Sequence, residues 1–261
     1  MGNTRREKYR EDTKEEAKRI ALEQLAEQGV EGISVNAIAK RMGITGPALY
    51  RYFKNRDDLL TDLIRDAWRD LAEQMEATDS ATQGRPRRER VHALANAFRT
   101  YALREPHRYL LLFGTPLPGY HAPEDTAALA HRTMSALLGV LAEGPQGHTH
   151  IDWSWKAADA APDAGATGEV GAGGEVSGGS EVGGGSGAVP SGAGSALDGQ
   201  LAAWASGMGE EALPPAVLLT GLRAFTRLHG VVSLEVSGQF GPMGFDPALL
   251  YHAEVESLLS D

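Results

Sequence analysis

The sequence predicts an all-α protein, and three observations point to that fold class. Apolar residues recur every three or four positions, the spacing of an amphipathic helix, most regularly over residues 60–75. No segment shows the sustained apolar–polar alternation that is typical of a half-buried strand. Prolines at positions 86, 106, 215 and 247 stand near the starts of predicted helices, where their missing N–H costs little.

The predicted helices follow one another along the chain with short connections. In the first, Ala17, Ile20 and Leu25 share an apolar face. Gly29 then stops it, because glycine readily adopts the left-handed conformation that ends many helices. After residue 56 a long helix begins, and more helices are predicted at about 86–105, 106–113, 124–143, 214–237 and 247–259.

Residues 34–60 predict a helix-turn-helix. Ser34 is a good N-cap for a first helix with one apolar stripe. Gly43 supplies a tight turn, and Thr45 is placed to cap a second, short helix. In this arrangement the second helix enters the major groove of DNA. A three-helix unit can also be purely structural, but this pattern favours DNA binding.

Hydroxyl and cationic side chains mark the surface of this unit that would meet DNA. Hydroxyls bond to phosphates or base edges, cations attract the phosphate backbone, and a glycine–proline helix start lets the backbone come close. The predicted DNA-binding residues are Ser34, Lys40, Thr45, Gly46, Pro47, Tyr50, Arg51 and Lys54. A basic N-terminal arm with Arg5, Arg6, Lys8 and Arg10 is expected to follow the duplex or enter a minor groove.

Charge is divided unevenly along the chain. The net charge of −10 would by itself argue against a nucleic-acid binder. However, residues 1–60 hold 12 Lys+Arg and 10 Asp+Glu, whereas the remaining 201 residues hold 13 and 25. The first 60 residues are thus net positive and the remainder is net negative. This difference supports DNA binding by the N-terminal part and assigns another role to the acidic remainder.

The segment VNAIAKRMGITGPALYRYFKNRDDLL resembles the DNA-binding domain of the TetR family of bacterial regulators. Residues 39–44 match the family's A-x-x-x-G-[IV] turn, and residues 49–60 match its LY-x-[YH]-F-x-[NS]-[KR]-x-x-L segment. The likeness covers about 50 residues from Lys14. It implies that residues 45–52 form the recognition helix, and that the DNA-binding residues named above make base or phosphate contacts.

A weaker resemblance covers parts of the C-terminal half. Residues 105–126 and 224–240 are similar to a TetR subgroup whose ligand domain carries a W-x-x-x-HG signature. His229 and Gly230 match it, while Phe225 stands where tryptophan is usual. The predicted ligand-binding residues are Trp68, Tyr101, Tyr109, Phe113, Phe225 and His229, with Phe98 and Trp204 as further candidates. Core packing is the alternative role for each of these aromatic residues.

The resemblance also implies an architecture and partners. Residues 1–58 are expected to form the helix-turn-helix domain, and residues 59–261 a helical effector-binding and dimerisation domain. The last two helices would pair with those of a second copy. The resulting homodimer would bind a near-palindromic operator on double-stranded DNA and act as a repressor that an apolar or aromatic small molecule releases.

One segment is expected to be an insertion without fixed structure. Residues 157–200 contain 14 glycines among 44 residues, and such a composition cannot bury enough apolar surface to offset the entropy of ordering it. Its length costs a folded domain little, since the entropy of loop closure grows only with the logarithm of length. A regulated tether is the alternative role.

Several other classes of protein are excluded or disfavoured. The chain has no cysteine, no apolar run of membrane-spanning length and no apolar N-terminal signal, so a cytoplasmic protein without a membrane partner is expected. It contains no G-x-S-x-G, P-loop or H-E-x-x-H motif, which disfavours an enzyme. His148 and His150 have no evident third ligand, so neither a metal site nor a cofactor is predicted. A constitutive or activating regulator without a ligand remains the alternative function.

Overall fold

A computed structural model describes residues 2–114, 120, 123–142, 193–207 and 213–260. Throughout these described ranges the regular structure is helical and no strand occurs, which confirms the predicted all-α class. The helices are α1 (Gly2–Gln28), α2 (Val35–Arg41), α3 (Gly46–Leu49), α4 (Arg56–Thr82), α5 (Arg87–Arg104), α6 (Pro106–Phe113), α7 (Glu124–Ala142), α8 (Ala193–Gly207), α9 (Pro215–Val236) and α10 (Pro247–Ser260). None of the described helices is both long enough and apolar enough to cross a membrane.

The chain divides into two compact units that differ from the two predicted domains. One comprises Met1–Trp153 with Val217–Asp261, and the other comprises Ser154–Ala216. Helix α8 belongs to the second unit. Every other helix belongs wholly to the first, except α9, whose first two residues lie in the second. The division at residue 58 therefore stays a prediction about the interior of the first unit.

The predicted insertion extends too far at its C-terminal end. Residues 157–192 lie outside the described residues, but α8 begins at Ala193. The segment AGSALDGQLAAWASG that forms α8 is rich in alanine, the best helix former. The average composition of residues 157–200 indicates an unstructured segment, and this average hides the alanine-rich stretch at its C-terminal end.

The helix-turn-helix rests on its own hydrophobic core. Side chains from α1, α2, α3 and the start of α4 form one buried cluster, in which Leu49, Phe53, Leu59 and Leu60 are fully buried. Burial of each such side chain contributes about 1.5–3 kcal/mol relative to exposure. The short helix α3 is therefore stabilised by what it packs against, since four residues do not form a stable helix alone.

Two glycines end the first two helices, as the sequence predicts. Gly29 and Gly43 both have φ of 69°, in the left-handed region where a side chain would be strained. After α2 the N–H of Ile44 donates to the carbonyl of Ala39 and that of Gly43 to the carbonyl of Lys40. This Schellman pattern satisfies the last carbonyls of α2 and sends the chain directly into α3.

A second buried cluster joins α4, α5, α6, α7, α9 and α10. Three of its tyrosines are fully buried, and each has a hydrogen-bond partner, as buried hydroxyls require. The Tyr101 hydroxyl donates to the carbonyl of Ala67 at 2.9 Å, and that of Tyr251 to the carbonyl of Ala95 at 2.6 Å. The third, Tyr109, faces a histidine and is described below with the candidate effector site.

Helix α4 takes part in both clusters. Leu59, Leu60 and Leu63 belong to the N-terminal cluster, whereas Leu71 and Met75 belong to the second. The helix start is fixed by reciprocal capping. The Asn55 side chain accepts from the N–H of Asp58 at 2.8 Å, and the Asp58 carboxylate accepts from the N–H of Lys54 at 2.9 Å.

Candidate nucleic-acid interface and effector site

The first helix of the helix-turn-helix is capped by a hydroxyl predicted to touch DNA. The Ser34 Oγ accepts from the N–H of Ala37 at 3.3 Å, and the Ser34 N–H donates to Gln24 Oε1 at 3.0 Å. The side chain nevertheless stays exposed. Ser34 thus orients α2 and remains accessible to a phosphate.

Helix α3 has a buried side and an exposed side. Leu49 is buried against the N-terminal core, and Phe53, just after the helix, is buried with it. Of the residues predicted to bind DNA, Gly46 is half-buried and the others are exposed. Those exposed residues are Ser34, Lys40, Thr45, Pro47, Tyr50, Arg51 and Lys54. The predicted binding side of the unit therefore faces outward.

The interior of the turn gives Gly46 a role that the sequence did not reveal. A Cβ atom at Gly46 would lie 2.7 Å from Oδ1 of Asn36, well inside van der Waals contact. A side chain at this position would displace the Asn36 amide, so glycine lets the Asn36 side chain lie against the start of α3, in addition to any close approach to DNA. Asn36 was not predicted as part of the site, and no local sequence signal marks it.

Thr45 occupies the N-cap position of α3 with extended backbone angles of φ −80° and ψ 149°. Its hydroxyl makes no capping hydrogen bond, so the predicted side-chain cap is absent. The physical reason is that Pro47 supplies no N–H to be capped, and the next N–H, that of Ala48, donates to the Thr45 backbone carbonyl at 3.0 Å. The exposed Thr45 hydroxyl consequently remains available to an external partner.

Three cations near α3 carry no internal counter-charge. Lys40, Arg51 and Lys54 make no ion pair with any residue in the described parts of the chain, whereas Arg41 pairs with Glu23 and the Arg56 guanidinium donates to the carbonyl of Val30. Unpaired exposed cations retain their full charge for a phosphate backbone. The interface can therefore attract an anionic partner although the whole chain is acidic.

The basic N-terminal arm is helical. Arg5, Arg6, Lys8 and Arg10 lie in the first turns of α1, and all four are exposed. The later residue Lys14 turns back to the helix-turn-helix, where its Nζ lies 3.0 Å from Asp62 and 5.4 Å from the ring centre of Phe53. Contacts of the arm with DNA remain a prediction.

Most of the predicted ligand-binding aromatics meet in one cluster of the first unit. Phe113 lies at its centre, with its ring 5.1 Å from Trp68, 5.1 Å from Tyr109 and 5.9 Å from Phe225. Phe98 lies 6.0 Å from Phe113 on another side. The rings come from α4, α5, α6 and α9, so four helices converge here, and we call these residues with His229 the aromatic cluster.

The polar centre of the aromatic cluster is a tyrosine–histidine pair. The Tyr109 hydroxyl and His229 Nδ1 share a hydrogen bond of 2.8 Å, and the ring of Phe225 stacks on His229 at 5.4 Å. Burial lowers the pKa of His229 and raises the pKa of Tyr109. Both groups are therefore neutral near pH 7, and Nε2 of His229 bonds to none of the described residues.

Two candidates are described separately from this cluster. Tyr101 is fully buried and its hydroxyl is bonded to the backbone of α4, so it supports the core beside the aromatic cluster. Trp204 lies on α8 in the second unit, where 38% of it is exposed. Sequence spacing could not separate these two from the rest, because all are aromatics on helical faces.

The helix that carries Tyr109 and Phe113 also contacts the helix-turn-helix core. Leu111 of α6 packs against the N-terminal cluster, as does Tyr120. The Tyr120 hydroxyl lies 3.0 Å from Oγ1 of Thr61 on α4. One short helix thus touches both the aromatic cluster and the core of the predicted DNA-binding unit.

Two family profiles match this chain. Residues 91–258 match the family described as "Tetracyclin repressor-like, C-terminal domain". Residues 19–63 match the family described as "Bacterial regulatory proteins, tetR family". Together they cover both the helix-turn-helix and the helices that form the aromatic cluster.

Curated relatives are transcriptional regulators. The HTH-type transcriptional regulator Rv1816 of Mycobacterium tuberculosis is 41% identical over 149 residues, which cover 55% of this chain and 64% of that protein. An HTH-type transcriptional regulator of Staphylococcus aureus strain USA300 is 49% identical over 53 residues, which cover 19% of this chain and 29% of that protein. The matched region thus spans less than two thirds of the length of these relatives.

Solved structures extend the likeness to the whole chain. The crystal structure of regulatory protein SCO4313 is 36% identical, covers 98% of both chains and has a TM-score of 0.71. The TetR family regulator PfmR from Thermus thermophilus is 16% identical, covers 95% of this chain and 96% of its own, and has a TM-score of 0.51. The second likeness concerns the fold alone.

Proposed function

We propose that this chain, which belongs to the TetR family of DNA-binding transcriptional regulators, is a repressor that an apolar small molecule releases from its operator. The observation that carries the proposal is the exposed surface at α3, where Thr45 precedes the helix, Tyr50 and Arg51 follow it, and all three are exposed. Hydroxyls and a guanidinium at the two ends of one helix suit both phosphate and base-edge contacts.

We assign specific DNA roles to these side chains. Thr45, Gly46, Pro47 and Arg51 are proposed to meet bases or phosphates at the recognition helix. Ser34, Lys40, Tyr50 and Lys54 are proposed to hold the phosphate backbone. The exposure of all of these residues except Gly46 supports contact with DNA. The division between the two groups follows the family resemblance, and the role of the family indicates a binding function instead of a catalytic one.

Dimerisation is proposed through the C-terminal helices. Large apolar residues are exposed at the end of α9 and around the start of α10, among them Leu234, Phe245 and Leu249. A second copy that covers them would bury apolar surface on both chains at once, as a two-fold interface requires. The two recognition helices would then read half-sites roughly 34–36 Å apart.

The proposed effector is a compound with an apolar, aromatic body and one hydrogen-bonding group. The rings of the aromatic cluster suit the body, and Nε2 of His229 suits the polar group. A neutral imidazole with Nδ1 bonded to Tyr109 still offers Nε2 as a donor or an acceptor. Trp68, Tyr109, Phe113, Phe225 and His229 are the proposed contacts, with Tyr101 behind them.

Release from DNA is proposed to pass through α6 and α4. An effector that displaces Phe113 shifts α6, whose Leu111 packs on the N-terminal core. Arg65 on α4 holds Asp125 at the start of α7 by two hydrogen bonds of 2.7 and 3.1 Å, so α4 follows the helices around the cluster. A coupling of about 1–3 kcal/mol changes operator affinity by roughly 5–150-fold.

The test uses gel-shift binding of the full chain to the promoter region of its own neighbouring genes. We expect a salt-sensitive shift, and we expect Thr45→Ala and Arg51→Ala to change sequence preference. Removal of one hydrogen-bonded base contact costs about 1–3 kcal/mol of binding free energy. Failure to shift any fragment at low salt would overturn DNA recognition by α3.

A ligand-independent regulator is the second candidate function. The ring separations of 5.1–6.1 Å within the aromatic cluster are those of packed aromatic pairs, so the same residues also suit a filled core. Titration of aromatic compounds against the operator complex separates the two candidates. Release of DNA by one of these compounds favours the repressor with an effector, and compounds that bind without releasing DNA favour the alternative.

A further inference from the structure

Three potential metal ligands meet on the surface of the first unit, and none of them belongs to α3 or to the aromatic cluster. His92 lies on α5, and His252 and Glu256 lie one turn apart on α10. Their ligand atoms all lie within 4.8 Å of one another. Because 164 positions separate His92 from Glu256, the grouping is a product of the fold and no sequence motif announces it.

The geometry of this group converges on one carboxylate oxygen. Oε1 of Glu256 lies 2.6 Å from Nε2 of His92 and 3.8 Å from Nε2 of His252. The two imidazole rings stack with their centres 5.1 Å apart. The other oxygen, Oε2, lies 2.5 Å from the guanidinium of Arg88, so that cation holds the carboxylate through the oxygen that does not contact the histidines.

Two imidazoles and one carboxylate form a donor set that suits Zn²⁺. In tetrahedral zinc sites the ligand atoms lie about 3.3 Å apart, from metal–ligand distances near 2.0–2.1 Å. The present separations of 2.6 and 3.8 Å bracket that value, so small side-chain rotations would bring the three atoms to it. A solvent molecule would complete the coordination, as in open zinc sites.

Exposure of the three side chains permits an ion to enter. The His252 side chain is 65% exposed, while those of His92 and Glu256 are 21% and 28% exposed. His252 is thus the open member of the group, whereas His92 and Glu256 are partly covered. The neighbouring guanidinium of Arg88 is compatible with such a site, because carboxylates that ligate metals commonly accept a further hydrogen bond.

We propose that His92, His252 and Glu256 bind one Zn²⁺ ion per protomer and thereby clamp α10 to α5. The clamp joins a helix of the aromatic cluster, through Phe98 on α5, to the helix that carries the exposed Leu249. Metal binding therefore stabilises the packing of α10. The proposal is independent of the effector and of the operator.

The test measures Zn²⁺ binding by the full chain, free of any polyhistidine tag, with calorimetry and with equilibrium dialysis followed by metal analysis. The wild-type protein is expected to bind one ion per protomer and to unfold at a higher temperature with Zn²⁺ than with a chelator. His252→Gln is expected to weaken binding about tenfold or more, since even the loss of a residue that only orients a ligand has such an effect. His92→Gln combined with His252→Gln is expected to abolish the saturable site.

A matched control is His107→Gln, which removes another exposed histidine, on α6, and is expected to leave both readouts unchanged. Because His252 is largely exposed, its replacement does not disturb the core, and circular dichroism checks that each variant is folded. The proposal is wrong if the wild type shows no saturable binding at millimolar Zn²⁺. It is equally wrong if the double variant binds with the stoichiometry and affinity of the wild type.

Discussion

At the scale of single residues, the unpaired cations beside α3 give the sharpest test of DNA binding. Lys54→Ala is expected to weaken operator binding uniformly across sequences and to lower the slope of log affinity against log salt by about one phosphate contact. The reason is that Lys54 has no ion partner among the described residues and can neutralise a phosphate fully. The measurement is operator affinity at several salt concentrations.

Arg41→Ala serves as the matched control for that prediction. Arg41 is also exposed and near the turn, but it already pairs with Glu23, which pairs with Arg19 as well, so its removal takes away no free cation. We expect a smaller change in the salt slope than for Lys54→Ala. Equal slopes for the two variants would contradict the assignment of Lys54 to the phosphate backbone.

His229 is expected to make the stability of the chain depend on pH. Burial lowers its pKa from 6.5, so the unfolded state binds more protons than the folded state as the pH falls below that value. The contribution of His229 is therefore fully present above about pH 6.5 and is lost as the pH falls through the folded pKa.

The variant His229→Gln is expected to flatten this part of the pH profile. The measurement is the free energy of unfolding from denaturant titrations between about pH 5 and pH 8, the range in which histidine titrates. His107→Gln again provides a surface control, which should keep the wild-type slope. A wild-type slope in His229→Gln would show that other groups cause the acid sensitivity.

At the scale of elements, the surroundings of two glycines of α9 predict opposite effects of a glycine-to-alanine substitution on stability. A Cβ at Gly221 would lie 1.7 Å from Cδ2 of the fully buried Leu138 on α7, whereas a Cβ at Gly230 would meet nothing within 4 Å. Gly221→Ala is expected to destabilise the chain by about 1–3 kcal/mol through overpacking. Gly230→Ala is expected to stabilise it by up to about 1 kcal/mol through helix propensity.

Thermal and denaturant unfolding of the two variants decides the matter. Both substitutions add one methyl group to the same helix. The difference between their free energies of unfolding therefore reports the cost of crowding where α7 packs against α9. Equal stability of the two variants would mean that Leu138 moves aside at little cost.

The elements also show where sequence reasoning succeeds and where it stops. The ends of α1 and α2 were predictable because Gly29 and Gly43 act through local backbone conformation. The start of α8 was missed because its alanines compete with neighbouring glycines, and composition averaged over 44 residues hides that local change. The contact of Gly46 with Asn36 was not predictable, since it depends on how two helices cross.

The candidate sites show the same limit of sequence-based prediction. Helical spacing and the family pattern identified the exposed residues at α3, because a residue in or beside a short amphipathic helix lies on either its buried side or its exposed side. Tyr109 and His229 pair although 120 positions separate them in the sequence. The sequence separation between His92 and Glu256 on α10 is larger still. Such contacts arise from tertiary packing, which a single sequence does not specify residue by residue.

At the scale of the whole molecule, the exposed apolar residues near α10 predict the oligomeric state. Phe245→Lys with Leu249→Lys is expected to convert a dimer into a monomer, because two buried charges per chain would oppose association. Sedimentation velocity measures the change, and operator affinity should fall with it. Leu103→Lys, which alters another exposed leucine on α5, should leave the dimer intact.

A dimer that persists in the Phe245→Lys, Leu249→Lys variant would place the two-fold contact elsewhere on the chain. A fall in operator affinity without dissociation would instead indicate that these residues influence the helix-turn-helix within one protomer. Sedimentation and binding measured on the same samples distinguish the two results.

The membership of α4 in two hydrophobic clusters limits how such proteins can be recombined. Each residue along a helix turns the following segment by about 100° and advances it by about 1.5 Å. One residue inserted between Leu63 and Leu71 would therefore rotate the apolar residues of one hydrophobic cluster out of their packing positions, while those of the other cluster stayed in place. A chimera that joins this DNA-reading unit to a foreign sensor must preserve the count of residues along α4, whereas its surface loops tolerate changes of length.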